Sequence, residues 1–142
     1  EECRRVGGKD LRIINHIDQM EVASFLNVCD LFIFPSLYET GPQVVLEAKS
    51  CEAVCVVSPS GGGRRIEQNG FDGIIIKRYV LKDWLAEIED LLKNKKRINS
   101  IKNNLRKNFS QPSWKKVFEI YFLKKWKRIY RKNTNDLKMH QR

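Results

Sequence analysis

The sequence lacks any apolar run approaching the roughly 20 residues that a helix needs to cross a bilayer, and it shows no signal peptide. It also lacks the signs of a zinc site or a disulfide framework, because its four cysteines form no C-x-x-C pair and none stands at zinc spacing to a histidine. Three of them, Cys29, Cys51 and Cys55, lie in apolar runs, which predicts buried free thiols in a reducing compartment. We therefore expect a cytoplasmic protein, and the sequence offers no ligand set for a metal or another cofactor.

Basic residues are scarce where a nucleic-acid-binding domain would need them. Residues 1–90 hold 10 Lys and Arg against 15 Asp and Glu, whereas residues 91–142 hold 17 against 2. The net charge of +10 therefore belongs to the C-terminal part alone. This distribution predicts an acidic-to-neutral domain with a basic helical extension, and it argues against a nucleic-acid partner. With 142 residues, 42% of them hydrophobic, the chain can form about one domain with a real core.

One stretch, residues 30–48, predicts a strand, a tight loop and the start of a helix. The apolar run Leu31–Phe34, closed by Pro-Ser, suits a strand that is buried on both faces of a parallel sheet. Pro42 suits the first position of a helix, and Gly41 before it lets another group approach the backbone. A helix start after a strand presents unpaired N–H groups and the positive end of the helix dipole, so it favours an anion such as a diphosphate.

Two acids flank this predicted anion site. Glu47 lies on the same helix face as Gln43 and Val44, and its side chain leans back towards the N-terminus. Glu39 precedes the helix start, eight positions before Glu47. On their own, two acids at this spacing would suit an ordinary surface helix and an acidic loop. Around an anion site they suit a ligand with hydroxyls on both sides of a diphosphate, which describes a nucleotide sugar.

In this frame the sequence resembles the retaining nucleotide-sugar glycosyltransferases of family 4, which have the GT-B fold. Glu39 and Glu47 match the family's E-x7-E signature, inside the patterns Asp30-x-Phe32-x-x-Pro35-Ser36-x-x-Glu39 and Leu46-Glu47-Ala48. The resemblance implies that Glu39 contacts sugar hydroxyls and is the catalytic residue, and that Glu47 holds the ribose. It further implies that five residues line the sugar and the diphosphate: Thr40, Gly41, Pro42, Gln43 and Val44. The family usually needs no bound metal to hold its donor.

The resemblance extends to loops at the carboxyl ends of two further predicted strands, where the ligand crevice of an open α/β sheet lies. His16 and Ile17 follow the first predicted strand, in the place that lies beside the nucleotide base in the family. A solvent-facing His16 without a role is an equal alternative. Gly61 and Gly62 match the family's Gly-Gly loop, and Gly70-x-x-Gly73 matches the turn before its next strand.

Three residues depart from the family pattern. Glu52 stands where a glycine usually follows the helix, and Val54 stands where a proline is common. Without the glycine, a left-handed helix cap becomes costlier by up to about 1 kcal/mol. Arg65 stands where the loop acid is expected. An arginine beside a Gly-rich loop could contact an anionic ligand, but a solvated arginine at a helix start is the more ordinary interpretation, so its role stays open.

The predicted fold is α/β: a Rossmann-like parallel sheet flanked by helices, forming part of the C-terminal domain of a GT-B fold, with a C-terminal helical extension. The strands are predicted at residues 11–14, 31–34, 53–57 and 74–76, and the helices at 19–29, from Pro42 past Glu47, 82–92, 95–108 and 114–131. The predicted domains are an incomplete nucleotide-sugar-binding domain at 1–92, basic helices at 93–132 and a flexible tail at 133–142.

The resemblance covers only the later two-thirds of a GT-B donor domain. Because the chain begins with Glu1 rather than Met, we expect a fragment whose partner is the missing N-terminal GT-B domain. The Arg and Lys that neutralise the diphosphate in the family have no counterpart here, so the isolated chain should be inactive. The expected ligands are a nucleotide-diphosphate sugar donor and a glycan or lipid-linked acceptor. The alternatives are a non-catalytic nucleotide-sugar-binding protein and a basic interaction module.

The last predicted helix, residues 114–131, combines a broad aromatic face with many cations. One explanation is docking onto the N-terminal domain, to which the terminal helix of the GT-B fold crosses back. The other is peripheral contact with an anionic membrane, with aromatic rings in the headgroup boundary and cations on acidic lipid. We expect docking for the turns up to Phe122 and consider membrane contact for residues 124–132.

Overall fold

The computed structural model describes residues 10–130, which divide after Phe109 into two units. The predicted tail at 133–142 lies outside the described residues. The elements of the first unit are α1 (Gln19–Val28), β1 (Leu31–Phe34), α2 (Gln43–Ser50), β2 (Val54–Val57), a 3-10 turn (Gly63–Arg65), β3 (Ile74–Ile75), α3 (Leu81–Lys93) and α4 (Lys95–Asn108). The second unit contains α5 (Trp114–Val117) and a π-helical turn (Phe118–Leu123), followed by helical residues 124–130.

The strands form a parallel sheet in the order β1-β2-β3. Leu31 pairs with Val54, and Val56 pairs with Ile74. All four residues of β2 are buried, as a continuous apolar run predicts for a central parallel strand. The predicted α/β fold, with a parallel sheet flanked by helices, is confirmed.

Each face of the sheet carries its own core, because successive side chains of a strand point to opposite faces. One core contains Val54 and Val56 together with residues of β3, α3 and α4: Ile74, Trp84, Leu91, Ile98, Ile101 and Leu105. The other contains Cys55 and Val57 together with residues of α1, α2 and the end of the 3-10 turn: Leu26, Val45, Ala48 and Ile66. The sheet is thus the middle layer of three.

The predicted strand at residues 11–14 is wrong. These residues are irregular, and Leu11, Ile13 and Ile14 are each more than 40% exposed. A strand exists only through pairing with a neighbour, and the described part of the chain offers this run no partner strand. Its apolar composition was therefore insufficient to define an element.

Two helix starts illustrate how local chemistry sets boundaries. Asp18 caps α1 as predicted: its side chain accepts from the Glu21 N–H at 2.9 Å, and the Glu21 carboxylate accepts from the Asp18 N–H at 3.1 Å. Pro42 is the N-cap of α2 rather than its first residue, a shift of one position, because its ψ of 113° is extended. The last helix starts as predicted, with the Ser113 hydroxyl accepting from the Lys116 N–H at 3.3 Å.

The end of α2 shows the consequence of the missing glycine. Glu52 takes a φ of 58°, in the left-handed region that glycine normally occupies, so the strained cap expected from the sequence is present. Its carboxylate accepts hydrogen bonds from the guanidinium of Arg106 on α4, at 3.1 Å from Nε and 2.5 Å from Nη2. These bonds lower the pKa of Glu52. The ion pair joins the end of α2 to α4.

Helix α4 belongs to the core of the first unit. Ile98, Ile101 and Leu105 are buried against the sheet, although the predicted domain limits grouped this helix with the terminal one. Asn94 caps it by accepting from the Arg97 N–H at 3.1 Å. In the second unit, Phe118, Phe122 and Trp126 form an aromatic cluster with centroids 5.6–6.5 Å apart. Among residues 10–130, no helix is long and apolar enough to cross a membrane.

Candidate functional site

The loops that follow β1 and β2 are joined to each other at the carboxyl edge of the sheet. The Glu39 N–H donates to the Ser60 carbonyl at 3.1 Å. The Ser58 hydroxyl donates to the Ser36 carbonyl, and the Gly61 N–H donates to the Ser58 hydroxyl at 3.1 Å. The predicted Glu39 loop and the predicted Gly-Gly loop therefore meet, at the edge where parallel α/β sheets bind ligands.

Gly61 and Gly62 are buried at this junction. A Cβ on Gly61 would lie 2.3 Å from the Ser36 carbonyl oxygen, and a Cβ on Gly62 would lie 2.8 Å from the Cβ of Val57. Gly61 is required because the two loops approach so closely, and Gly62 because its backbone packs against the side chains of Val57 on β2 and Val45 on α2. The structure thus gives these residues a packing role, and their contact with a ligand stays a prediction.

The two predicted donor-binding acids, Glu39 and Glu47, are half-buried, and their carboxylates accept few hydrogen bonds. The Glu39 carboxylate accepts from the Ser36 hydroxyl at 3.4 Å, and the Glu47 carboxylate accepts from the Gln19 side-chain amide at 3.3 Å. A carboxylate has about four acceptor positions, so each acid retains capacity for ligand hydroxyls. Gln19 begins α1 two residues after Ile17, so the loop with the exposed His16 and the half-buried Ile17 lies on the Glu47 side of the site.

The start of α2 lies between these acids in the chain. Pro42 is buried and makes no side-chain capping bond, so the amides of the first helical turn have no side-chain acceptor. Thr40 and Gln43 are exposed, and Gly41 and Val44 are half-buried. The predicted features of an anion-favouring helix start are thus present together: uncapped amides, an accessible loop and a flanking acid on each side.

A buried ion pair next to this site was not predicted from the sequence. The Lys49 ammonium donates to the Asp72 carboxylate at 2.7 Å and to the Arg65 carbonyl at 2.7 Å, and it lies 4.5 Å from the centroid of the Phe109 ring. The two charged side chains are 1% and 9% exposed. A signal existed, since Lys49 occupies the position after Ala48 and four after Val45, on the buried face of α2.

Asp72 is held from three sides. Besides Lys49, it accepts from the N–H groups of Glu67 at 3.0 Å and Gln68 at 2.9 Å. Burial raises the pKa of Asp72, but the Lys49 hydrogen bond and the two backbone N–H groups outweigh burial and lower that pKa below its usual value. The pair therefore ties the helix that carries Glu47 to the loop at residues 65–72.

Arg65 is not the solvated arginine that the sequence favoured. It is half-buried, and its Nη2 lies 2.8 Å from the place that a Cβ on Gly41 would occupy. Its Nε is buried and has no hydrogen-bond partner among the described residues. The guanidinium thus packs on the loop that leads into α2, opposite in charge to the Glu39 and Glu47 carboxylates.

This fold defines an α/β protein of the Rossmann-like class, and its candidate site lies at the carboxyl ends of the strands, where proteins of this class bind ligands. Residues 5–108 match the family described as "Glycosyl transferases group 1". The match covers more than half of the chain, and the chain belongs to this family.

Two curated relatives are glycosyltransferases that are named for acceptors linked to undecaprenol. The N,N'-diacetylbacillosaminyl-diphospho-undecaprenol alpha-1,3-N-acetylgalactosaminyltransferase of Campylobacter jejuni is 36% identical over 91 residues, which are 64% of this chain and 23% of the relative. The UDP-Gal:alpha-D-GlcNAc-diphosphoundecaprenol alpha-1,3-galactosyltransferase of Escherichia coli is 37% identical over 57 residues, which are 40% of this chain and 15% of the relative. This chain therefore spans less than a quarter of either protein.

A solved structure supports the fold. Anabaena Alr3699/HepE, crystallised with UDP-glucose, superimposes with a TM-score of 0.65 at 18% sequence identity. The superposition covers 75% of this chain and 29% of that one. At this identity the likeness establishes the fold alone.

Proposed function

We propose that this chain is the donor-binding part of a retaining glycosyltransferase of family 4. It would transfer a sugar from a nucleotide-diphosphate donor to a glycan or lipid-linked acceptor. The observation that carries this proposal is that the half-buried Glu39 and Glu47 precede and follow the uncapped start of α2 in the chain. Both acids keep acceptor capacity, as binding of sugar and ribose hydroxyls requires.

Each acid has its own role in this proposal. Glu47 accepts hydrogen bonds from the ribose hydroxyls, on the side of the His16–Ile17 loop. Glu39 binds the transferred sugar, and its carboxylate stabilises the positive charge that develops at the ring as the bond to the diphosphate breaks. The first-turn amides of α2 face the diphosphate, which leaves with the electron pair of that bond. The acceptor hydroxyl attacks the anomeric carbon from the face that the diphosphate leaves and gives its proton to the departing diphosphate, so the anomeric configuration is retained.

The proposal also concerns the rest of the protein. The protein would be cytoplasmic, and its N-terminal GT-B domain would bind the acceptor. The isolated chain would be inactive without that domain. The two relatives' names support a lipid-linked acceptor. A non-catalytic nucleotide-sugar-binding protein remains the alternative, because the chain departs from the family pattern at Glu52, Val54 and Arg65.

The experiment uses the full-length protein and measures binding of UDP-sugars, GDP-sugars and the matching free nucleosides by calorimetry. Transfer to a lipid-linked acceptor is then followed by NMR, which reports the anomeric configuration of the product. We expect one nucleotide sugar to bind and the product to keep the donor's configuration. Binding without transfer would favour the non-catalytic alternative, and an inverted product would refute the retaining mechanism.

The second unit supports a further part of the proposal, peripheral contact with an anionic membrane. Its helical residues expose large apolar side chains, namely Trp114, Phe118, Ile120, Tyr121, Phe122, Trp126, Ile129 and Tyr130. Six Lys and Arg share residues 114–130 with one acid, Glu119. Vesicle co-sedimentation tests this proposal: binding should need anionic lipid, weaken with salt and disappear on truncation after Leu123. Equal binding to neutral vesicles, or none to anionic ones, would leave docking as the explanation.

A further inference from the structure

The positive charge of Arg65 is not paired with a negative charge among the described residues of the first unit. Its guanidinium makes no ion pair with an acid among residues 10–130, and the buried Nε has no hydrogen-bond acceptor there. A half-buried cation loses part of its hydration, and an N–H group without an acceptor adds to that cost. Such a group points to an anionic acceptor that binds beside it.

The surroundings show which acceptor fits. The Nη2 atom lies against Gly41, in the loop between Glu39 and the start of α2. Glu39 and Glu47 precede and follow this place in the chain, and their carboxylates would repel a diphosphate unless a cation offset them. The Lys49 ammonium does not offset these carboxylates, because it is buried and paired with Asp72. The side chain of Arg64 is exposed to solvent. Among the residues that the structure describes, Arg65 is the cation whose side chain packs against this loop.

We propose that Arg65 is a donor-binding residue, whose guanidinium donates hydrogen bonds to the diphosphate of the nucleotide sugar held at the start of α2. This inference rests on the proposed function and deepens it, since it names the chain's own cation for the leaving group. Arginine suits the task because its planar fork can donate two parallel hydrogen bonds to phosphate oxygens.

The structure supplies two supports for this arrangement. The Lys49 ammonium holds the Arg65 carbonyl at 2.7 Å, so the backbone that carries the guanidinium is anchored to α2. Gly41 leaves the space that the guanidinium occupies, because a Cβ there would collide with Nη2. Lys49 and Gly41 thus act as positioning residues for the cation.

The first test compares Arg65→Gln, Arg65→Lys and the matched control Arg64→Gln in the full-length protein. Calorimetry measures the Kd of UDP and GDP and, in parallel, of uridine and guanosine, which lack phosphate. We expect Arg65→Gln to raise the Kd of the bound diphosphate about 10- to 100-fold and Arg65→Lys about 3- to 10-fold, since charge-assisted hydrogen bonds are lost or reduced. Nucleoside binding should stay unchanged, and Arg64→Gln should change the diphosphate Kd less than about twofold.

The second test moves the guanidinium without removing it. Gly41→Ala should displace Nη2 and weaken diphosphate binding, whereas in the Arg65→Gln background the same change should have little further effect. Thermal unfolding checks that all variants fold. If wild type binds neither diphosphate, the proposed function fails with this inference. If wild type binds and Arg65→Gln matches Arg64→Gln, or weakens nucleoside and diphosphate equally, the role of Arg65 is refuted while the proposed function stands.

Discussion

Replacing Lys49 with methionine would leave the buried Asp72 carboxylate without its ammonium partner. Methionine has a similar length and no charge, so the change removes the ion pair while keeping most of the side-chain packing. Asp72 would keep the Glu67 and Gln68 N–H groups, at 3.0 and 2.9 Å. Removing one partner of a buried pair costs about 3–5 kcal/mol, and the two remaining donors place the expected loss near 3 kcal/mol. For a unit of this size that corresponds to a fall in Tm of about 10–20 °C.

Urea unfolding followed by circular dichroism measures this loss. The matched control is Lys93→Met, which removes an exposed lysine that pairs with Glu89 at 3.3 Å on the surface of α3, and it should cost less than about 0.5 kcal/mol. Adding Asp72→Asn to Lys49→Met removes the uncompensated charge. The double variant should therefore be more stable than Lys49→Met alone.

The pH dependence gives an independent check. Because the pKa of Asp72 is lowered in the folded protein, its contribution is present above the unfolded pKa of about 3.9 and is lost as the pH falls through the lower folded value. In Lys49→Met, burial without the ammonium shifts that pKa upwards. The stability gap between wild type and variant should thus be largest near neutral pH and shrink below about pH 4. A loss under about 1 kcal/mol at pH 7, or a gap that does not shrink in acid, would refute this reasoning.

Four further predictions follow from the described residues. Under the proposed function, Glu47→Ala in the full-length protein should raise the donor KM about tenfold with kcat nearly unchanged, because the proposed ribose contacts would be equal in the ground and transition states; steady-state kinetics showing only a lower kcat would contradict the assignment. Glu39→Gln should act mainly on kcat, and turnover within about threefold of wild type, about 0.65 kcal/mol of barrier, would exclude a catalytic role. Glu52→Gly should raise the Tm by about 2–5 °C by relieving the left-handed backbone at φ 58°, whereas a Tm below wild type would show that the lost ion pair dominates. Burial raises the pKa of the Cys55 thiol to about 12, so a disulfide reagent at pH 8 should modify Cys55 only after unfolding and the half-buried Cys51 sooner, and equal native rates in peptide mapping would contradict this.

The elements around the site could be predicted because their signals are local. The run Leu31–Phe34 is a strand, Asp18 and Ser113 cap helices, and α2 starts within one residue of the predicted position. The two caps and the start of α2 depend on side chains within a few positions of the backbone that they affect, whereas the apolar run of β1 also needed its pairing with β2. The frame that holds Glu39 and Glu47 is therefore determined by the sequence itself.

Residues 11–14 show where local composition stops being sufficient. Their apolar side chains predict a strand, but a strand depends on hydrogen bonds to another segment, and these residues have no such partner in the described structure. The left-handed backbone at Glu52 was expected from the sequence, but its ion pair with Arg106, 54 positions away, was not, because that contact also depends on a distant segment.

Only the tertiary structure decided which charges are buried and what they face. Lys49 meets Asp72 across 23 positions of sequence, and Arg65 packs on Gly41 from the loop after the next strand. Desolvation and Coulomb energy depend on distance and burial in space, which no local pattern of residues contains. The sequence by itself therefore determined the two acids and the helix start between them, whereas the cation that we propose for the diphosphate became visible only when β1, α2 and the Gly-rich loop packed together.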